Sequence, residues 1–380
     1  MPNLDNEKLT VQNPIIKYAV EIGWSYISPN EALSLRGGES GLFFYEILKR
    51  KLIDLNPEVV NVSNVDLIIN KIESVRNNIE GNFEILKWLR GINSIYVETE
   101  KRHRNITLID FSNLSNNVFS VSDEWVYTNG KNTNRGDVVF LINGIPVAIV
   151  ETKSAKKEIE EALVQIRRYH NETPEFLTTI QMFCITNLLY FYYAPTWNLD
   201  KKSIFRWRDD QNFEIKVKTF FSRERFLKII EKWIIFFRRD DELEKIILRE
   251  HQIRAIEKII DRALDPNKKR GLIWHTQGSG KTFTMIKTAE ILLNRSPKPT
   301  IIMVVDRNEL EGQLSNWIVN LLGEDFHKPI ESKEELKKVI KSGYRGLVVS
   351  MIHKFDKATK VLSDRSDIYV LIDESHRSTG

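Results

Sequence analysis

Cysteine is nearly absent from this sequence, because Cys184 is the one thiol among 380 residues. A single thiol cannot form an intramolecular disulfide, and it excludes any zinc site built from several cysteines. A chain without disulfides is compatible with a reducing compartment, and we expect this protein to be cytoplasmic. Disulfide-stabilised folds are therefore excluded.

A long apolar run is missing as well. The most apolar stretch, 180–194, is interrupted by Gln181, Thr186 and Asn187 and is too short to span a bilayer. The first residues, MPNLDNEK, lack the basic and then apolar pattern of a secretion signal. The sequence therefore predicts a soluble protein that does not act at a membrane.

Neither charge is in strong excess, since 56 Lys and Arg face 52 Asp and Glu, for a net charge of +4. Basic residues nevertheless cluster at 101–104, 156–157, 167–168, 206–208 and 268–270. Local basic patches suit a polyanion such as nucleic acid, although solvated protein faces have the same composition. Charge thus supports a nucleic-acid hypothesis without establishing it.

Residues 1–220 have the pattern of an α/β domain, with a mixed sheet flanked by helices. Apolar residues at helical spacing predict helices over 41–55, over 83–89 and from residue 159. Short apolar runs predict strands at 106–111, 118–121, 138–142, 145–150, 182–186 and 190–193. The next segment, 221–249, is dense in charge and aromatics, and we interpret it as a helical connector.

Residues 250–380 repeat a strand–loop–helix pattern. The predicted strands are 272–274, 300–305, 346–351 and 369–372, and a helix is predicted to begin at Thr282. Alternating β and α units form a parallel sheet. We therefore expect a second α/β domain, made of a partial parallel-sheet lobe.

The stretch HTQGSGKT, 275–282, has the composition of a phosphate-binding loop between a strand and a helix. Gly278 and Gly280 permit a tight turn whose N–H groups point at phosphate oxygens. Lys281 would reach the β- and γ-phosphates, and Thr282 would bind Mg²⁺ through its hydroxyl. His275 stands where the full pattern has its first glycine, so a glycine turn before a basic helix remains an alternative.

The apolar run YVLIDESHRS ends in Asp373 and Glu374, where ATPases place a Mg²⁺-holding Asp and a water-activating Glu. Taken alone, the two acids could be a helix N-cap. Together with the phosphate loop they resemble superfamily 2 helicases and translocases, with 373–376 as the DExH box. LREHQIRAI resembles the adenine-reading motif of that family, and there Gln252 would meet adenine with a donor and an acceptor. An exposed helix residue is the alternative for Gln252.

The stretch RGDVVFLINGIPVAIVETKSAKK, 135–157, contains two acids at the ends of apolar strands, Asp137 and Glu151. Charged groups there are costly unless they are paired or bind metal. Two such carboxylates can hold Mg²⁺, which polarises a scissile phosphate and lowers the pKa of a bound water. Lys153 lies two residues past Glu151, points to the same face, and can orient that water or neutralise developing charge.

The register of this hairpin tests the site. A simple two-residue turn at Asn143-Gly144 would set Asp137 opposite Val150 and send Glu151 to the other face. A three-residue turn or a one-residue bulge would set Asp137 opposite Glu151, and Pro146 makes an irregular ladder plausible. A shared metal site therefore requires an irregular hairpin.

The segment resembles the PD-(D/E)xK nucleases. Gln165 and Tyr169, four residues apart on the next helix, resemble the Q-x-x-x-Y pattern of one branch of those enzymes. D…E-x-K alone is common, and a Gln/Tyr pair at this spacing is often helix–sheet packing. The order of acid, hairpin, E-x-K and Gln/Tyr helix favours the nuclease interpretation.

A nuclease-like domain before a first RecA-like lobe of a superfamily 2 motor resembles the restriction (R) subunit of type I restriction-modification enzymes. The resemblance is strongest over 135–169 and 271–282. It implies cleavage and translocation of double-stranded DNA, Mg²⁺ and ATP as cofactors, and methylase (M) and specificity (S) subunits as partners. The residues implied for cleavage are Asp137, Glu151, Lys153, Gln165 and Tyr169, with Asp137 and Glu151 as metal ligands. The residues implied for ATP are Gln252, Gly278, Ser279, Gly280, Lys281, Thr282, Asp373 and Glu374.

Two other interpretations stay open. One is a DNA translocase or remodeller whose first domain binds DNA without cutting it, and the other is a stand-alone nuclease–helicase fusion without methylase partners. Motors of this family need a second lobe whose arginines complete the ATP site, whereas the sequence ends at Gly380, just after the DExH box. We therefore expect a fragment that binds ATP weakly, does not turn it over and cleaves DNA poorly by itself.

Overall fold

The computed structural model describes residues 8–98, 100–154, 159–207, 211–239, 241–276, 278–305, 318, 327–330, 332–352 and 363–373. The chain divides into two compact units. Unit 1 comprises 1–236 and 243–247, and unit 2 comprises 237–242 and 248–380. The division falls inside the segment that we interpreted as a connector.

Unit 1 contains a seven-stranded mixed sheet in the order β1-β4-β5-β6-β7-β8-β9. The β1/β4 and β6/β7 pairs are parallel and the other neighbours are antiparallel. The strands are β1 Ser25–Tyr26, β4 Phe119–Thr128, β5 Thr133–Ile142, β6 Ile145–Thr152, β7 Met182–Thr186, β8 Phe191–Pro195 and β9 Phe205–Arg206, and a separate hairpin consists of β2 Ser94–Val97 and β3 Arg102–Asn105. The predicted mixed-sheet α/β fold is confirmed.

Helices flank this sheet. They are α1 Asn13–Glu21, α2 Pro29–Leu35, α3 Tyr45–Leu55, α4 Val65–Glu73, α5 Ile79–Leu89, α6 Ile159–Glu172, α7 Pro174–Leu177, α8 Phe213–Phe220 and α9 Arg223–Lys228. Helix α6 matters most for the site, since its apolar residues Ala162 and Ile166 are buried in one core with Ile149 and Ile185 of the sheet. One face of α6 therefore packs on the side of the sheet that carries Ile149 and Ile185.

The β5–β6 hairpin has a tight turn and a bulge. Asn143 and Gly144 both have positive φ, 52° and 83°, which is the type I′ turn that Asn-Gly favours. A side chain at Gly144 would also place its Cβ 2.6 Å from the Phe44 carbonyl oxygen, so only glycine fits. Ile142 pairs with Ile145, but the register shifts by one residue between Phe140 and Leu141. The hairpin therefore is irregular, as a shared site requires.

Unit 2 contains a parallel sheet in the order β13-β14-β12-β15. Its strands are β12 Thr300–Val305, β13 His327–Pro329, β14 Gly346–Met351 and β15 Ile368–Ile372, and its helices are α10 Glu250–Leu264, α11 Lys281–Leu293 and α12 Lys333–Lys341. Strands β12 and β14 are fully buried. The predicted partial parallel sheet is confirmed. Within the described ranges no helix has the length and apolar character needed to cross a bilayer.

Three predictions of local structure are wrong. Residues 272–274 form no strand, and Trp274 is 85% exposed; a short apolar run needs a hydrogen-bonded neighbour to become a strand. Residues 106–111 form none either, and the Asn56 side chain hydrogen-bonds both backbone groups of Thr107. The connector is helical only as far as Trp233. Strands β10 Ile234–Arg239 and β11 Glu242–Ile247 follow, where β-branched and aromatic residues favour a sheet.

Candidate active site

The bulged hairpin sets the two predicted carboxylates side by side. Val138 pairs with Val150, and continuing this register by one residue sets Asp137 opposite Glu151, whose pKa the Asp137 charge raises. Both are buried, with relative exposures of 3% and 0%. The turn has two residues and the bulge supplies the shift, which is one of the two arrangements that the shared site required.

Asp137 is held by Thr152, which was not among the predicted site residues. Its Oδ2 accepts hydrogen bonds from the Thr152 backbone N–H at 2.7 Å and from Thr152 Oγ1 at 2.9 Å. Thr152 Oγ1 in turn accepts a hydrogen bond from Gln12 Nε2, 140 residues earlier, at 3.3 Å. Thr152 is the variable residue x of the E-x-K motif. Its position in that motif is the one sequence feature from which its contact with Asp137 could have been predicted.

Glu151 has one satisfied and one unsatisfied oxygen. Its Oε1 lies 2.9 Å from the Tyr169 hydroxyl, whereas its buried Oε2 has no hydrogen-bond partner among the described residues. Burial, and then the charge of Asp137, raise the pKa of Glu151 well above its ordinary value. A buried acceptor of this kind favours a proton or a cation, so the donor set fits a hard divalent ion.

The number of protein ligands at this site is small. Within the described ranges no group of three or more His, Cys, Asp and Glu side chains could hold a metal. Mg²⁺ is usually held by only one or two protein carboxylates, with water and substrate phosphates completing its shell. Asp137 and Glu151 suit that mode, and they do not suit an all-protein cage.

Lys153, Gln165 and Tyr169 form a chain of hydrogen bonds around the carboxylates. Lys153 Nζ donates to the Thr152 carbonyl oxygen at 2.7 Å and to Gln165 Oε1 at 3.2 Å. Gln165 Nε2 donates to the Tyr169 hydroxyl at 2.7 Å, and that hydroxyl also contacts the Arg135 carbonyl oxygen. The Gln/Tyr pair thus ties the lysine of E-x-K to its glutamate, which helix–sheet packing alone would not do.

In unit 2 the loop before α11 turns as the phosphate-loop interpretation predicts. Gly278 and Gly280 have φ of 75° and 79°, and α11 begins directly after Gly280, at Lys281. The backbone N–H groups at the start of a helix favour an anion. A Cβ at Gly280 would lie 2.4 Å from Gln252 Nε2, so the Gln252 side chain would have to move and give up its hydrogen bond to the Gly280 carbonyl oxygen. Thr282, on the first turn of α11, is half-buried.

Gln252 lies beneath this loop. Its Nε2 donates to the Gly280 carbonyl oxygen at 2.9 Å, and its Oε1 accepts from the Arg249 N–H at 2.8 Å. Both ends of the amide are therefore occupied within the protein, and the contact with adenine stays a prediction. Ser279 Oγ is buried without a hydrogen-bond partner among the described residues.

Asp373 follows β15, and its N–H donates to the Val304 carbonyl oxygen at 3.0 Å. Since β15 pairs with β12 in parallel, Asp373 lies at the carboxyl edge of the sheet, where ligands of α/β domains bind. Glu374 lies outside the described residues. The structure thus places one of the two predicted acids of the DExH box.

Comparisons with known proteins agree with this division. The family model described as "Type I restriction enzyme R protein N terminus" matches residues 5–201, a little over half of the chain. A second model, described as "SWI2/SNF2 ATPase", matches residues 251–380. The first match covers both carboxylates, and the second covers the predicted phosphate loop and the predicted DExH box.

Curated relatives carry matching names. A protein of Methanocaldococcus jannaschii named for a type I restriction enzyme (MjaVIIIP endonuclease subunit) is 30% identical over 98% of this chain, which covers 39% of the relative. The type I restriction enzyme HindI endonuclease subunit of Haemophilus influenzae is 26% identical over 98% of this chain and 39% of its own length. The chain thus spans about two fifths of these relatives. It belongs to the family of type I restriction enzyme R proteins, of which it contains the N-terminal region.

Proposed function

We propose that unit 1 is a metal-dependent nuclease domain that cleaves phosphodiester bonds of double-stranded DNA. The observation that carries this proposal is the buried pair of Asp137 and Glu151, with one Glu151 oxygen lacking a partner among the described residues and Lys153 bound beside it. The names of the relatives, endonuclease subunits of type I restriction enzymes, support the same activity.

Each residue has a distinct part in this proposal. Asp137 and Glu151 would hold Mg²⁺, which when bound polarises the scissile phosphodiester and lowers the pKa of water. Lys153 stabilises negative charge on the phosphate, and Gln165 holds its ammonium group in place. Tyr169 and Thr152 fix the orientations of the two carboxylates. The chain's own contribution is a set of charges oriented before DNA arrives.

Unit 2 would bind ATP and couple it to movement on DNA. The N–H groups of the loop containing Gly278, Ser279 and Gly280 would surround the phosphates, and Lys281 would neutralise them. Thr282 and Asp373 would hold the accompanying Mg²⁺, and Glu374 would activate water. In the complete R protein, partners would be methylase and specificity subunits in the cytoplasm.

Metal binding tests the nuclease proposal directly. Mn²⁺ binding should be measured by isothermal calorimetry on the 380-residue chain, and its position should be located by anomalous scattering in soaked crystals. We expect one site between Asp137 and Glu151 that Glu151→Gln abolishes. Plasmid nicking in Mn²⁺, weak but measurable, should fall by ~10³-fold in the same variant, since the metal supplies several kcal/mol.

Two further variants make the test selective. Lys153→Ala should lose nicking while it keeps Mn²⁺ binding, because the lysine is not a ligand. Glu46→Gln, an exposed residue of α3, removes an equivalent carboxylate elsewhere and should change neither. Full Mn²⁺ binding by Glu151→Gln would contradict the proposal, and unit 1 would then be a domain that binds DNA without cutting it.

A further inference from the structure

The strand register extends the row of the carboxylates across the sheet. Glu151 pairs with Ile185 of β7, Ile185 with Tyr192 of β8, and Tyr192 with Arg206 of β9. Directly paired residues have side chains on the same face of a sheet. Asp137, Glu151, Tyr192 and Arg206 therefore belong to one row, at the edge where β6 and β7 both end.

A cationic and aromatic surface lies at the far end of this row. The Arg206 guanidinium is 4.4 Å from the ring centroid of Tyr190 and 5.8 Å from that of Tyr192. Arg206 is exposed, and so is 40% of Tyr190. Tyr192 is partly buried and packs against the hydrophobic core that includes Ala162 and Ile166 of α6. We call Tyr190, Tyr192 and Arg206 the Arg206 platform.

The platform holds a guanidinium in a fixed plane. Two rings restrict the rotamers of Arg206, so less entropy is lost when its N–H groups bind an oxyanion. Arginine is suited to phosphate because its planar set of donors can contact two oxygens at once. A single exposed arginine could face solvent, but an arginine stacked on two tyrosines is oriented before any ligand binds.

The spacing suits a ligand that also reaches the carboxylates. Three strand spacings of about 4.8 Å separate Glu151 from Arg206, which is about 14 Å. That distance spans a few nucleotides of a DNA strand, whose successive phosphates are separated by roughly 3.4 Å along the helix axis and by a rotation about it. A polymer with a phosphate at every step can therefore lie over both ends of the row.

We propose that the Arg206 platform binds the sugar–phosphate backbone of the DNA under cleavage, a few nucleotides from the scissile phosphate. This assignment rests on the proposed nuclease function of Asp137 and Glu151. Arg206 contacts a phosphate, the rings of Tyr190 and Tyr192 hold the guanidinium and pack against sugar, and no base is read. The platform positions the duplex, so its contribution is independent of sequence.

Binding of DNA without divalent metal tests the platform separately from cleavage. The probe is a fluorescein-labelled duplex of arbitrary sequence, and anisotropy gives its Kd for the 380-residue chain from about 50 to about 200 mM KCl. Arg206→Ala should weaken binding severalfold at the lowest salt and reduce the slope of log Kd against log salt by about 1. Arg50→Ala is the matched control, since Arg50 is exposed on α3. The helix that carries Arg50 begins beside the Asn143-Gly144 turn, at the opposite end of the hairpin.

Two conservative variants separate charge from shape. Arg206→Lys keeps the charge and should retain the salt slope with a lower affinity, because an ammonium lacks the planar set of donors. Tyr190→Phe keeps the ring and should bind DNA like the parent chain. Tyr190→Leu should weaken DNA binding. In the Arg206→Ala background, Tyr190→Leu should cause no further loss of affinity. Melting temperatures of all variants should match, as the replaced groups are at the surface.

Equal salt slopes for Arg206→Ala and Arg50→Ala would overturn the assignment. If the Arg206 variant instead lost binding to a purified M or S subunit and kept DNA binding, the platform would be a protein contact and the proposal would also fail. Failure of the nuclease function shows differently, as Mn²⁺ binding that survives Glu151→Gln, whatever the DNA slopes are. The two hypotheses are thus tested by separate measurements.

Discussion

The two candidate sites differ in how far they are built without ligand. In unit 1, Asp137, Lys153 and Tyr169 are buried and each is hydrogen-bonded to a neighbouring residue of the site. In unit 2, Trp274 just before the loop is 85% exposed, and a Cβ at Gly278 would meet no described atom within 4 Å. The carboxylate site is oriented by protein groups, whereas the predicted phosphate loop is held by few of them.

The difference follows from the local architecture. A hairpin and one helix enclose the carboxylates, so Asp137 Oδ2 and Glu151 Oε1 both meet donors of buried residues. The loop of unit 2 connects an exposed segment to a helix, and α10 lies against it through His251 and Gln252. We therefore expect variants of unit 1 to act through supporting residues, and variants of unit 2 to act through direct contacts with ligand.

The largest effect that would sharpen this contrast is expected for Lys281→Ala. Loss of one charged hydrogen bond to phosphate costs about 2–3 kcal/mol, so Mg²⁺-ATP should bind roughly 100-fold more weakly. Binding can be measured with a fluorescent ATP analogue, together with the rise in melting temperature that the nucleotide produces.

Lys258→Ala is the matched control, because Lys258 is an exposed lysine of α10. It should leave nucleotide binding unchanged, and neither variant should alter Mn²⁺ binding in unit 1. Unchanged nucleotide affinity in Lys281→Ala would mean that the loop is not the phosphate site, and the contrast between the two units would lose its basis.

Sequence patterns predicted the parts of the carboxylate site that depend on local order. Short apolar runs predicted six of the sheet strands to within two residues at each end, as with 182–186 and 300–305, and E-x-K marked Glu151 and Lys153. The predicted requirement for a bulge or a longer turn was also met, because Asn143-Gly144 and Pro146 carry recognisable backbone preferences.

Contacts between distant segments were not predictable in this way. Gln12 reaches Thr152 across 140 residues, and the Tyr169 hydroxyl contacts the carbonyl of Arg135. No pattern of neighbouring residues predicts either contact. A glutamine near the start of a helix, for example, occurs in many different environments. The strand predicted at 272–274 failed for a related reason, because strand formation depends on a neighbour that composition does not reveal.

A second, smaller contrast concerns one histidine in each unit. His170 of α6 accepts a hydrogen bond from the Trp197 N–H at Nε2, so its Nδ1–H donates to the Ile166 carbonyl oxygen. Burial lowers the pKa of His170 to about 4. Burial also lowers the pKa of His275, and the nearby charges of His251 and Lys281 act in the same direction.

The sign of the pH effect follows from the lowered pKa. The unfolded chain binds the extra proton, so the stability that neutral His170 contributes is complete above pH 6.5 and is lost as the pH falls towards 4. At pH 5 the free energy of unfolding should be lower by about 2 kcal/mol than at pH 7 from this residue. His170→Gln, whose side-chain oxygen can still accept from Trp197, should remove that share of the difference in urea titrations. A His170 ring that titrates near 6.5 by NMR would contradict the assignment.

The smallest effect, and the most specific to unit 1, is expected for Tyr169→Phe. Removal of the hydroxyl takes away the single O–H that lies within reach of Glu151 Oε1 and the Arg135 carbonyl oxygen, so the glutamate loses the contact that orients it. Loss of such a supporting hydrogen bond commonly costs tenfold or more in metal affinity, so we expect Mn²⁺ to bind ~10-fold more weakly.

Tyr127→Phe provides the matched control for this variant. Tyr127 is buried in the same core, and its ring lies 5.7 Å from that of Phe176, whereas the Tyr169 ring lies 5.9 Å from it. The two replacements therefore remove one hydroxyl each from similar packing, and only one of those hydroxyls contacts a carboxylate of the site. Equal loss of Mn²⁺ affinity in both variants would attribute the effect to the core, and unit 1 would then be no more oriented in advance than the phosphate loop.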